Sequence, residues 1–185
     1  MKRTFLHTAA LLLLASSTFA TTTTLKWTAG WDSFGAPLNY KKSKVTYSVN
    51  DTTKEWTVTY TLVNAAPNSL YQTSVNFFCN TFPANFGQFA IDGGGGACQS
   101  ITRQGVTQSI AEIEVGVITT DENGDGTFKV IIGPIVAGTY SVEFFVRNGA
   151  GCNLIGGAGN QSSDCNVDFQ SPGPTFGDGT TITIP

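Results

Sequence analysis

Hydrophobic and polar residues alternate with a period of two along much of the chain, the spacing that places every second side chain of a β-strand on one face. The clearest stretch is "SKVTYSVNDTTKEWTVTYTLVN". Val45, Tyr47 and Val49 alternate with polar residues, Asn50 to Lys54 reverse the chain, and Trp56, Val58, Tyr60 and Leu62 resume the alternation. This predicts a hairpin with Trp56 and its in-phase neighbours in the core. "AAPNS" breaks the pattern and "LYQTSVNFFCN" predicts the next strand. "SIAEIEVGVI" alternates again, with Ile113, Val115 and Val117 on one face and Glu112 and Glu114 on the other, so both glutamates are expected on the wet side. Phe128, Val130 and Ile132 mark a further strand, as do Tyr140, Val142, Phe144 and Val146. "TTTTLKWTAGW" predicts a strand near Leu25 to Thr28, and "NVDFQ" and "TTITIP" two short closing ones.

Two Gly-rich stretches, 81–96 and 149–164, interrupt this order. The first ends in four consecutive glycines, which have no side chains to pack and the most backbone entropy to lose. No segment reads as a convincing helix. The expectation is an all-β chain, an antiparallel Ig-like β-sandwich of about eight or nine strands.

The first twenty residues stand apart. Lys2 and Arg3 precede an apolar run from Ala9 to Ala15, and Thr18-Phe19-Ala20 makes a small-x-small cleavage signature. That is the pattern of a cleaved signal peptide, and the run is too short to span a bilayer, which takes about 20 apolar residues. Residues 21–185 are then expected to form a single sandwich domain, secreted or periplasmic, with no membrane span. Removing 1–20 takes away His7, the sole histidine, and leaves eight basic residues against thirteen acidic ones, a net charge of −5. An acidic chain without a basic stripe argues against nucleic acid. Lys41, Lys42 and Lys44 form the one local basic group and read as a solvated strand or turn. Cys79, Cys98, Cys152 and Cys165 in an exported chain predict two disulfides. Pairing Cys79 with Cys98 and Cys152 with Cys165 would close each Gly-rich loop.

"TTDENGDGTFKVIIGPIVAGTYSVEFFV" resembles the corresponding segment of bacterial Ig-like and transthyretin-like extracellular domains. The shared pattern is an Asp/Gly turn (Asp121 to Gly126), an aromatic-led strand (Phe128) and a Gly138-Thr139-Tyr140 return, with Ala137 where those domains usually carry proline. The resemblance covers about thirty residues. It implies the sandwich and a non-catalytic surface or secreted module.

Candidate chemistry is sparse. Hydroxyl and thiol nucleophiles generally need a base, most often histidine, and none is expected beyond residue 20. Glu112 and Glu114, two apart on a strand, share a face at about 7 Å, a spacing that a carboxylate-dependent hydrolase could use. The tryptophans Trp27, Trp31 and Trp56, with Tyr40, Tyr47, Tyr60 and Tyr71, would suit sugar stacking if exposed together. Trp31 lies in a loop and is the best candidate, followed by Phe82, Phe86 and Phe89 in the long loop. Asp121, Asn123 and Asp125, with the backbone of Thr127, begin like a calcium loop. The twelfth position, however, is Ile132 and the flanks are strands, leaving at most a weak calcium site or a plain hairpin turn.

The expectation is a secreted, non-catalytic sandwich without a cofactor, acting as a surface, matrix or adhesion component. Its partner would be a cell-surface or matrix component such as a glycan, with self-association open to the strand-like termini. A carbohydrate-binding module using exposed aromatics is the alternative, and a small carboxylate hydrolase the least favoured reading.

Overall fold

The computed structural model describes residues 21–30, 36–79, 99–103, 106–148, 167–171 and 180–185. Eleven strands occur in this part of the chain: β1 (Thr23–Lys26), β2 (Thr28–Ala29), β3 (Lys44–Val49), β4 (Trp56–Leu62), β5 (Leu70–Phe78), β6 (Gln99–Arg103), β7 (Val106–Thr119), β8 (Gly126–Ile132), β9 (Gly138–Asn148), β10 (Val167–Gln170) and β11 (Thr180–Ile184). They form two antiparallel sheets. The smaller has the order β1-β3-β4-β8, and the larger, seven-stranded one has the order β2-β10-β9-β5-β7-β6 with β11 also paired to β9. The all-β sandwich expected from the alternation is therefore present, with more strands than the eight or nine expected.

The excess has two sources. β6 follows the four-glycine run and pairs with β7 from Gln99↔Ile110 to Arg103↔Val106, too short a segment for its alternation to stand out. The opening strand, expected as one piece, splits: β1 joins the smaller sheet and β2 the larger. Trp27 sits at the split, buried at 2 % exposure, with its Nε1–H donating to the Thr61 carbonyl at 3.1 Å.

Alternation puts aromatic side chains from both sheets into one core. Trp56, Val58, Tyr60 and Leu62 of β4 are all buried, as expected, and face Tyr140, Val142, Phe144 and Val146 of β9. Phe144 stacks on Tyr47 at 5.9 Å between centroids, meets Trp56 at 5.3 Å and Tyr60 edge-on at 6.1 Å. Trp56 in turn meets Phe77 edge-on at 5.8 Å.

The phase of β7 changes partway. Opposite β5 the register runs Thr73↔Gly116 and then Ser74↔Glu114, so Val115 is the extra residue of a bulge. Ile113 faces the core before it, and Ile118 after it. Val117 therefore leaves the face on which simple alternation placed it. At Gly116 (φ +152°) a Cβ would come within 2.2 Å of the Phe128 ring, so Phe128 from the smaller sheet packs directly on bare backbone.

Asp121 to Gly126 was expected at a hairpin tip, and the structure corrects this. β7 pairs with β5 and β6 while β8 pairs with β4, so the turn carries the chain from one sheet to the other. The β4–β5 connection makes the same crossing beside it. The two corners are stitched together: Ala65 N–H donates to Gly124 O (3.0 Å), Asn68 N–H to Asp121 O (2.9 Å) and Thr120 N–H to Ser69 O (3.0 Å). The Thr120 hydroxyl, in a buried residue, donates to Ala66 O at 2.7 Å and accepts from Ser69 N–H at 2.9 Å. Backbone groups that two isolated corners would leave to solvent are satisfied between them.

Gly124 is the residue this stitching requires. Its φ is +78°, and a Cβ there would lie 2.0 Å from the Ala65 carbonyl oxygen. Gly124→Ala should therefore lower stability by about 2–3 kcal/mol, from left-handed strain plus overpacking. Urea denaturation would measure this; a loss below about 0.5 kcal/mol would mean that the corners are not held against each other.

Candidate functional site

The expected sites fall into three groups. Trp31, Phe82, Phe86, Phe89, Cys98, Cys152 and Cys165 lie outside the described residues. Cys79, just after β5, is disulfide-bonded, and the expected pairings likewise fall outside them. The described aromatics do not form a platform. Trp27, Tyr47, Trp56, Tyr60 and Tyr71 are all buried, and of the described members of the named set only Tyr40 is exposed.

The carboxylates of "DENGDG" serve the corner itself. Asp121 Oδ1 accepts from the N–H groups of Asn123 (2.8 Å) and Asp125 (2.9 Å), while Asp125 Oδ1 accepts from Asn64 N–H at 2.8 Å. Hydrogen bonds from the Asp125 and Asn123 backbone hold the Asp121 carboxyl below its usual range. Its stabilising contribution is thus complete above the ordinary carboxylate pKa and is lost as pH falls through the lowered value. A cation at Asp121, Asn123, Asp125 and Thr127 would have to use the Oδ2 atoms or share Oδ1 with these N–H donors. Among the described residues no group of three or more Asp, Glu, His or Cys is placed to hold a metal ion.

Glu112 departs most from expectation. It was expected on a wet face, yet it is buried at 5 % exposure, in a patch of buried polar residues on the larger sheet. Gln72, Ser74 and Asn76 of β5, Glu143 and Arg147 of β9, and Glu112 of β7 are all buried. Arg147 reaches diagonally across β5. Its Nη1 donates to Ser74 Oγ at 2.9 Å and forms an ion pair with Glu112 Oε1, and its guanidinium lies 5.8 Å from the Phe145 ring centroid. Asn76, opposite both Glu112 and Glu143, makes no side-chain hydrogen bond with a described residue. Glu114 lies opposite Ser74, and its side chain falls outside the described residues.

The outward face of the smaller sheet is of another kind. In register across its four strands run the rows Lys26–Lys44–Thr61–Thr127 and Thr24–Thr46–Thr59–Lys129, followed by Ser48–Thr57–Ile131. Neighbouring strands are about 4.8 Å apart and successive rows about 7 Å apart. Within these rows every side chain except Ile131 is Thr, Ser or Lys, and none is acidic. Lys41 and Lys42 adjoin the face from the turn after Asn39, where Lys26 Nζ donates to Lys41 O at 2.7 Å. None of Lys26, Lys41, Lys42, Lys44 and Lys129 makes an ion pair with a described residue. The carboxylates just before β4 and β8 are engaged, Glu55 with Thr53 Oγ1 (2.8 Å) and Asp125 with Asn64. Lys41, Lys42 and Lys44 stand together in the sequence, but their union with Lys26 and Lys129, which are 15 to 88 residues away in the chain, does not show there. The available signal was that Lys26, Lys44 and Lys129 all occupy polar phases of alternating strands.

Asp168 lies at a register shift in β10 between Val167 and Phe169, and burial raises its carboxyl to about 6. Among the described residues, no helix is long and apolar enough to cross a membrane. Compared with known families and curated proteins, the chain matches no family model and no curated sequence.

Two outcomes follow from these buried charges. Arg147→Ala strands Glu112 and should cost about 3–5 kcal/mol in urea denaturation, whereas Arg147→Met combined with Glu112→Leu should recover most of that loss. Asp168 has the opposite sign from Asp121. Its folded pKa lies above its unfolded one, so stability should fall as pH rises from about 4 to about 6 and level off beyond. Asp168→Asn should flatten that segment of the stability–pH curve, and an unchanged slope would assign it to another group.

Proposed function

We propose that this chain is a secreted, non-catalytic, Ig-like sandwich module that acts as a surface, matrix or adhesion component. The observation that carries this reading is the outward face of the smaller sheet: broad, regular and hydroxyl-rich, with lysines that make no ion pair with a described residue and no acid in its rows. A surface four strands wide suits an extended partner better than a small substrate, which a concave pocket would enclose.

Among the described residues the competing readings find less support; Trp31, Phe82, Phe86 and Phe89, the stacking candidates, lie outside them. Aromatic stacking on sugars needs exposed rings, whereas the described Trp residues and most Tyr residues are used between the sheets. A carboxylate hydrolase needs a free acid or base at Glu112, which is buried and held by Arg147. The calcium reading needs Asp121 and Asp125, whose Oδ1 atoms already accept N–H groups.

Fractionation of the producing cells tests the proposal. The protein is expected in the cell-surface or extracellular fraction and should rebind to washed cells or matrix without turning over chromogenic glycosides or esters. Recovery in the cytosol, or turnover lost in Glu112→Gln, would overturn it.

A further inference from the structure

We infer that the outward face of the smaller sheet docks an acidic polysaccharide, a polyhydroxylated chain bearing carboxylates such as a polyuronate. This rests on the surface-component reading above and names its partner class. Five of the eight basic residues beyond position 20 (Lys26, Lys41, Lys42, Lys44 and Lys129) lie on or beside this one face, although the chain as a whole is acidic. Lys26 and Lys44 are direct cross-strand partners, and like charges opposite each other destabilise a sheet. No described carboxylate relieves them.

Lysine on an edge strand also guards against edge-to-edge pairing, which would account for Lys26 on β1 and Lys129 on β8. It does not account for Lys44, on the inner strand β3, or for the lack of acidic residues between them. An anionic partner accounts for both.

The rest of the face selects among anions. Thr24, Thr46, Thr57, Thr59, Thr61, Thr127 and Ser48 present short hydroxyls, each both donor and acceptor, to match the hydroxyls of a sugar chain. No aromatic side chain lies in these rows to stack on a nucleobase, as single-strand binders require. Ile131, 60 % exposed, is the sole apolar side chain in the rows, too little to enter a lipid interface. Lysine suits carboxylates carried at varied positions, being a flexible point charge without the fixed fork of arginine.

Affinity electrophoresis through gels containing polygalacturonate tests the inference, with dextran as the neutral control and oligo-dT as the competing polyanion. The wild-type chain should be retarded by polygalacturonate and not by dextran, with affinity falling about tenfold or more between about 0.1 M and about 0.5 M NaCl. The triple variant Lys26→Gln, Lys44→Gln, Lys129→Gln should lose retardation while keeping its wild-type circular dichroism. Arg103→Gln, on β6 of the larger sheet, should keep it. Retardation that survives the triple substitution, or tighter binding to oligo-dT than to polygalacturonate, would overturn the inference. If the wild type still rebinds to washed cells in that case, the surface-component reading stands while this inference fails. Absence of both retardation and rebinding sinks both.

Discussion

The contact on which the structure depends is the meeting of Phe144 with Tyr47, Trp56 and Tyr60 between the two sheets. Each such aromatic pair adds about 0.5–1.5 kcal/mol beyond the area it buries, and Phe144 takes part in three. Aromatic rings also set the distance between the sheets, so smaller neighbours such as Val58 and Val142 fill space that the rings define. This explains why the rings are not available for ligands. Among the described residues, Trp27, Trp56, Tyr60 and Phe144 are taken up in fastening the layers.

The same constraint orders the connections. With the sheets held together by long rings at their centre, the chain must cross between layers at the end, and it does so twice side by side. The corners at 63–69 and 120–125 satisfy each other's backbone groups, with Thr120 and Gly124 at the points of closest approach. The acidic letters that look like part of an ion site are what such a corner uses. Asp121 and Asp125 supply acceptors to N–H groups that neither sheet can reach.

How far the sequence shows all this depends on range. Alternation is local, so β3, β4, β8 and β9 and their inward residues were legible, because each strand reports its own phase. Sheet membership is not local. Nothing near Asp121 distinguishes a hairpin from a crossing, since both need turn residues with the same backbone freedom. Glu112 failed for a related reason: alternation shows that two faces differ but not that the second is wet, and here Arg147, 35 residues away, takes its charge. The bulge at Val115 hid the change of phase in β7, because one extra residue leaves the composition unchanged. The lysine face was invisible for the same reason as the ion pair, its members being gathered only by the register of four strands.

That face shows why net charge is a weak guide to partners. At physiological ionic strength the screening length is about 8 Å, close to the spacing of one row from the next on this sheet. The described carboxylates of the far layer therefore contribute little to the field just above Lys26, Lys44 and Lys129. Between them lie only hydroxyls, which carry no charge and can bond to either end of a polar group. An acidic protein can thus present a locally cationic surface, provided its acids are kept elsewhere. Glu112 is neutralised by Arg147 inside the larger sheet's outer face, and Asp121 and Asp125 are tied into the corner, beyond the rows of the face. The placement of the acids, as much as that of the lysines, gives the smaller sheet its sign.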